Sequence, residues 1–291
     1  MRWRFWKASR SAYCSRRDID GISARRYRVS GLAYGGHVLQ MRVNFLIAGT
    51  QKGGTSALDL YLREQPQICM ADHKEVHFFD RDRYFPEGTG PDYSFYHQFF
   101  SPRAPDRVVG ECTPVYMYWR DAPRRIWQYN PDMKLIFILR NPIFRAFSHW
   151  NMQRQKTRDL LPFWLAIRTE SERCRDVLPL QSKVFSYIDR GLYFQQLQRC
   201  WAHFPKTQTL VLRCEELKTS PRDALNKVCS FLGVEMLDVV QEKNVNSRPY
   251  VNSMAKSDWL YLRGIFEPDI RALEGALEWD CTDWLTEPYF D

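Results

Sequence analysis

Three short runs of this 291-residue chain carry side chains able to do group-transfer chemistry. In Gly49-Thr-Gln-Lys-Gly-Gly-Thr-Ser56, Lys52 stands inside a glycine-rich turn. Such a turn aims backbone N–H groups, and the positive end of a following helix, at one phosphate-like group, and Lys52 adds a full charge. The pattern differs from G-x-x-x-x-G-K-[ST], because here the Lys precedes the glycine pair. In Leu139-Arg-Asn-Pro-Ile-Phe-Arg-Ala-Phe-Ser148, Arg140 offers a planar fork of donors and Ser148 a hydroxyl, a pair suited to a second phosphate. In Lys74-Glu-Val-His-Phe-Phe-Asp80, Glu75 can take a proton from an acceptor hydroxyl or amine, with His77 and Asp80 as orienting neighbours.

The elements needed to position these groups are legible around them. The apolar run from Val43 to Ala48 is short and β-rich, which predicts a buried parallel strand feeding the turn, and Thr55 or Ser56 can cap the helix beyond it. The run Leu135-Ile-Phe-Ile-Leu139 repeats this strand-to-helix grammar, with Asn141 as N-cap and Pro142 at the first helical position. Arg140 then sits at the carboxyl end of a strand, where open α/β sheets bind ligands, and Arg145 and Ser148, three apart, share a helix face. If residues 74–79 are extended, Glu75 and His77 project to one face and Val76 and Phe78 to the other.

The first two runs together resemble the PAPS-dependent sulfotransferases, which move a sulfuryl group from 3′-phosphoadenosine 5′-phosphosulfate and release PAP. The resemblance implies that Lys52, Gly53, Gly54, Thr55 and Ser56 hold the 5′-phosphosulfate and that Arg140 and Ser148 hold the 3′-phosphate. The third run is similar to the K-E-x-H-F-F-D segment of the heparan sulfate 3-O- and N-sulfotransferases. That likeness implies Glu75 as the base, His77 in the catalytic set and Asp80 in the acceptor site, in a soluble member of bacterial type. Gly110-Glu-Cys-Thr-Pro-Val-Tyr116 is similar to the family's E-x-[TS]-P-x-Y segment and makes Glu111 the alternative acceptor-side carboxylate, or else a structural one. Arg190-Gly-Leu-Tyr193 continues the likeness and adds Tyr193 to the cofactor-binding set. In the C-terminal cofactor loop, Asn244-Val-Asn-Ser-Arg-Pro-Tyr250 lacks the family's glycine, with Arg248 as the substitute for its basic residue. The implied fold is a three-layer α/β/α sandwich on a central, mostly parallel sheet, similar to the P-loop kinases.

Composition agrees with one enzyme domain over residues 41–291. Eight cysteines without a C-x-x-C pair and six dispersed histidines point to reduced thiols in the cytoplasm and to no metal site. No apolar run reaches the length that spans a bilayer. The net charge of +8 is concentrated in residues 1–40, where eight Arg and one Lys face only Asp18 and Asp20. The remaining chain is nearly neutral, so no nucleic-acid partner is expected, only a local basic cleft. Residues 1–40 read as a basic disordered extension or the product of an upstream start codon. The acceptor is left open among glycan, polyketide, lipid and phenol. The rival functions are a nucleotide-dependent kinase and a non-catalytic nucleotide-binding module.

Overall fold

The computed structural model describes residues 42–103, 107–236 and 249–290. The expectation for residues 1–40 and the position of Arg248 lie outside them. In the first half of the chain, β1 (Phe45–Gly49), α1 (Thr55–Leu62), β2 (Ile68–Met70), α2 (Tyr93–His97), β3 (Val108–Cys112), α3 (Ala122–Tyr129), β4 (Lys134–Leu139) and α4 (Pro142–Gln155) follow in order. Then come α5 (Phe163–Arg168), α6 (Glu170–Arg175), α7 (Tyr193–Trp201), β5 (Thr209–Arg213), α8 (Cys214–Thr219), α9 (Pro221–Leu232), α10 (Lys256–Leu277) and α11 (Thr282–Leu285). The strands form one sheet in the order β2-β3-β1-β4-β5, and every neighbouring pair is parallel.

The sheet is buried on both faces, which is why β1 and β4 read as unbroken apolar runs instead of alternating ones. Leu46, Ala48, Leu135, Phe137 and Leu139 enter a core shared with Ile143 and Trp150 of α4, Leu197 of α7 and Phe266 of α10. Phe45, Ile47, Ile136, Ile138 and Leu212 point the other way, into a second core with Leu58 and Leu62 of α1 and Leu225 and Val228 of α9. Each such side chain contributes about 1.5–3 kcal/mol of burial, so helix–sheet–helix layering follows from the strand period. Neighbouring strands are fitted closely: a Cβ on Gly110 of β3 would stand 2.3 Å from the Phe45 ring of β1.

Two local expectations need correction. Residues 74–79 form no strand; Glu75 and His77 take left-handed backbone angles (φ 65° and 57°), while Val76 and Phe78 are buried. The predicted separation of polar and apolar side chains survives because those turns alternate with the apolar residues. The cap of α1 is Gly54 (φ 107°), without a side-chain cap bond from Thr55 or Ser56. Asn141 does cap α4, its side chain accepting from the Ile143 N–H at 3.0 Å, with Pro142 next to it.

β1 lies at the middle of the sheet with β3 on one side and β4 on the other. The crevice beyond their carboxyl ends is the place such a sheet offers a ligand.

Candidate active site

The turn leaving β1 is fixed against β4. Thr50 N–H donates to the Ile138 carbonyl at 3.1 Å, and Gly53 N–H donates back to Thr50 at 2.9 Å. A Cβ on Gly53 would meet the Ile138 carbonyl oxygen at 2.2 Å, so only glycine lets the turn pass so low over the strand end. Lys52 (φ 71°) and Gly54 (φ 107°) both adopt left-handed angles, a backbone shape that turns successive N–H groups to one side. Lys52, Gly54, Thr55 and Ser56 line a cleft of about 710 Å³. Gly53 forms the floor of the turn.

Arg140 and Ser148 line the same cleft. Arg145 does not join Ser148 there: it is fully buried and its guanidinium donates to the Tyr187 carbonyl. Tyr193 lies behind the wall, its hydroxyl donating to the Arg140 carbonyl at 2.8 Å. Tyr250, stacked on Phe147 at 5.1 Å, brings its hydroxyl to 3.5 Å from Arg140. The chain on either side of Tyr250 is tied to α4, with Gln155 donating to the Pro249 carbonyl at 2.9 Å and Val251 N–H donating to Asn151 at 3.0 Å.

Across the cleft, Glu75 and His77 present a linked string of charges. Lys74 Nζ donates to Glu75 Oε1 at 2.8 Å, and His77 Nε2 lies 3.3 Å from Glu75 Oε2. His77 Nδ1 sits 3.0 Å from Asp80 Oδ2, which also receives Lys183 Nζ at 2.6 Å. Partial burial alone would raise the Glu75 carboxyl, yet the hydrogen bond with His77 and the Lys74 charge hold it down at about 2. His77 moves the opposite way: burial opposes its charge, and hydrogen bonds to Asp80 and Glu75 lift it to about 9. At neutral pH the pair is therefore carboxylate and imidazolium, with Asp80 buried beneath as the second carboxylate.

Glu111, the alternative carboxylate, is fully buried and lies outside the cleft lining. Burial pushes its carboxyl up to about 6 against hydrogen bonds from Thr113, Tyr96 and Tyr116.

The cleft also contains residues to which the sequence reading gave no role. Lys183 reaches Asp80 from the loop before residue 189, with its ammonium 4.5 Å from the Trp119 ring centre. Arg190, stacked 4.6 Å over Tyr118, donates to Gln51 of the turn at 2.9 Å. Tyr250 belongs to the C-terminal segment whose sequence pointed instead to Arg248. For Lys183 the signal lay only in the density of charge between Thr157 and Arg190, whereas Arg190 heads the Arg190-Gly-Leu-Tyr193 motif; the partners of both are more than 100 residues away in the chain. Among the described residues, the lining carries eight Lys or Arg side chains, Lys52, Lys74, Arg140, Lys156, Arg158, Lys183, Arg190 and Lys218, against one carboxylate, that of Glu75. A cleft so charged suits a ligand with several negative groups.

Comparison with known proteins agrees with this geometry. Residues 42–258 match the family model described as "Sulfotransferase domain". The chain is 34% identical over 200 residues to human "Heparan sulfate glucosamine 3-O-sulfotransferase 6", covering 68% of this chain and 54% of that protein. It is 33% identical over 193 residues to mouse "Heparan sulfate glucosamine 3-O-sulfotransferase 3B1", covering 66% of this chain and 46% of that protein. The chain thus spans about half the length of these curated relatives. Among solved structures, a sulfotransferase from Alicyclobacillus acidocaldarius superposes with a TM-score of 0.74 at 31% identity, over 85% of this chain and 100% of that one. The match over residues 42–258 and the identity of these relatives establish that the chain belongs to the sulfotransferase family.

Proposed function

We propose that this protein transfers a sulfuryl group from PAPS to a hydroxyl or amine of a glycan acceptor. The observation that carries this reading is one cleft holding both the Lys52 turn and the Glu75–His77 pair, in a lining with eight cationic side chains. The residues fit a donor of that charge: the turn has no room for a side chain at Gly53, and Arg140 and Ser148 stand together in the lining. When bound, PAPS supplies the sulfuryl group and leaves as PAP.

Lys52 and the turn amides counter the negative charge that grows on the bridging oxygen to the 5′-phosphate. Arg140 and Ser148 hold the 3′-phosphate, which does not react, so they serve binding and register. Tyr193 acts one layer back by fixing the Arg140 carbonyl. Glu75, ionised at neutral pH, takes the acceptor proton as the new O–S or N–S bond forms, and His77 holds that carboxylate in place from below. Lys183 lines the cleft and, with Asp80 buried behind the lining, holds His77 in place. The relatives named for heparan sulfate glucosamine support a glycan as acceptor. A reduced, cytoplasmic setting belongs to the same reading, which draws on the seven described cysteines, none of them in a disulfide.

The test is transfer of radiolabel from [35S]PAPS to heparan sulfate, with a simple phenol as the comparison acceptor, alongside calorimetry with PAP and with ATP plus Mg²⁺. Label in the glycan and tight metal-independent binding of PAP are the expected results. Preference for ATP overturns the reading, and label in the phenol alone overturns the glycan assignment.

A further inference from the structure

The segment that carries Glu75 and His77 cannot hold its own shape. Two non-glycine residues at positive φ cost roughly 1–3 kcal/mol each, and such a conformation persists only where its surroundings over-determine it. Besides Arg125, which donates to the Phe79 carbonyl at 3.0 Å, three ties are present. Glu75 N–H donates to the Cys112 carbonyl at 3.0 Å, Asp80 receives His77 and Lys183, and Phe78 N–H donates to the Tyr116 hydroxyl at 2.9 Å. The third is the unusual one, because it makes a side chain the partner of a buried backbone amide.

Tyr116 is fully buried, and its hydroxyl has one proton to give. That proton goes to Glu111 Oε1 at 2.9 Å, which leaves the oxygen lone pairs facing Phe78 N–H. Glu111 is itself locked: Tyr96 donates to the same Oε1 at 2.8 Å and Thr113 Oγ1 donates to Oε2 at 2.5 Å. The turn that carries Tyr116 is in turn tied to β1, with Thr113 N–H on the Ile47 carbonyl at 3.1 Å and Met117 N–H on the Ala48 carbonyl at 2.9 Å. Pro114 and Val115, between these ties, line the cleft. The strand that ends in the Lys52 turn is thereby joined to the backbone that presents Glu75 and His77.

We propose that Tyr116, held by Glu111, is a positioning residue that sets the base segment against the donor turn. The proposal rests on the sulfuryl-transfer reading for its consequence in catalysis, and it assigns Glu111 to the support of the site. Glu111 touches neither the cleft nor Glu75, and its two oxygens are occupied by three hydroxyl donors, so it has no route to an acceptor proton.

The test uses the whole chain with Tyr116→Phe, Glu111→Gln and Glu111→Leu, read by amide hydrogen exchange, PAP calorimetry and [35S]PAPS transfer to heparan sulfate. Tyr116→Phe is expected to speed exchange across residues 76–80 by about tenfold or more, while exchange in the 49–56 turn and PAP affinity stay within twofold. Its kcat should fall by about tenfold with KM for PAPS unchanged. Glu111→Gln keeps a carbonyl for the Tyr116 proton and should retain most of the activity, whereas Glu111→Leu should behave like Tyr116→Phe. Wild-type kcat together with wild-type exchange in Tyr116→Phe overturns the proposal, as does a fall in PAP affinity that matches the fall in kcat. A Glu111→Gln variant that is inactive yet exchanges normally makes Glu111 the base and also overturns it. If the wild type binds PAP but transfers no label, the exchange data still decide the positioning role, and it is the acceptor that has been misread.

Discussion

Glu75 combines the right location with a weak intrinsic basicity. With its carboxyl held at about 2, it gains little by taking a proton in the resting site. In the proposed mechanism its contribution comes from placement, since the acceptor hydroxyl releases its proton only as its oxygen bonds to sulfur. Glu75→Gln keeps the shape and should lower turnover by about 10² or more while calorimetry returns near-normal PAP affinity; retained turnover would remove Glu75 from the mechanism. Lys52→Ala is expected to cost about 10²–10³ in kcat, measured by label transfer at saturating PAPS, because in the proposed mechanism the charge it counters is greatest in the transition state. The Glu75–His77 pair also fixes a pH dependence of stability. His77 is raised to about 9, so its contribution is complete below its ordinary value of 6.5 and is lost as pH climbs through 9. Glu75 is lowered to about 2, so its share is complete above 4.5 and is lost as pH falls toward 2. The difference in Tm between wild type and His77→Gln should therefore shrink between pH 6.5 and 9; a constant difference would show that His77 is not held by its carboxylates. Both side chains keep some exposure to water, with 42% of Glu75 and 26% of His77 accessible, so the effect should be a few degrees at most.

At the scale of elements, the two strand-to-helix units were readable because each is local. An apolar run, a turn and a capped helix occupy about fifteen consecutive residues, and the same residues that make the turn make the site. Asn141 and Pro142 announced α4 in this way. Residues 74–80 were only half readable: the alternation of polar and apolar residues gave the correct faces, but two left-handed residues produced it where a strand was expected, and no local pattern marks Glu and His for positive φ. The Arg145–Ser148 pair shows another limit. The helix period places them on neighbouring positions, yet the 0% exposure of Arg145 is set by α4 packing against the segment around Tyr187, a tertiary fact. Lys183 is legible only after the fold brings its loop to Asp80, and Arg190, though it heads a motif, gains its contact with the turn only then. A substitution tests the element itself. Gly53→Ala should abolish PAP binding, because its Cβ would need the space of the Ile138 carbonyl oxygen and the turn must lift from the strand end; binding within twofold of wild type would mean that the turn tolerates the shift. Arg140→Ala should leave the turn intact and weaken PAP by about tenfold or more, with smaller effect on a nucleotide lacking the 3′-phosphate.

For the whole molecule, charge is distributed in a way that composition alone conceals. The excess of residues 1–40 accounts for nearly all of the net +8, while residues 41–291 are almost neutral and still gather eight cationic side chains in one cleft. A chain beginning at Met41 is expected to keep its Tm and PAP affinity and to bind a cation exchanger less tightly, since the first described backbone bond into the sheet is made by Asn44, whose N–H donates to the Val109 carbonyl of β3 at 2.9 Å. A Tm lower by several degrees would mean that the first forty residues contribute to the fold.

The parallel order of the sheet has a further consequence, in time. β1 is bonded to β3 and β4, with Phe45 opposite Gly110 and Lys134, so its neighbours arrive some 65 to 90 residues after it has been made. Parallel pairing of this kind closes long loops before contacts can repay the lost entropy, and it is slow. The Lys52 turn, moreover, has no rigid floor until Ile138 is in place, and Gln51 has no Arg190 until the loop before α7 has returned. Affinity for the donor should therefore emerge abruptly and late in refolding, after most of the helical signal has recovered, and a nucleotide such as PAP added to the refolding mixture should act on the final docking of segments while leaving the early helical phase unchanged.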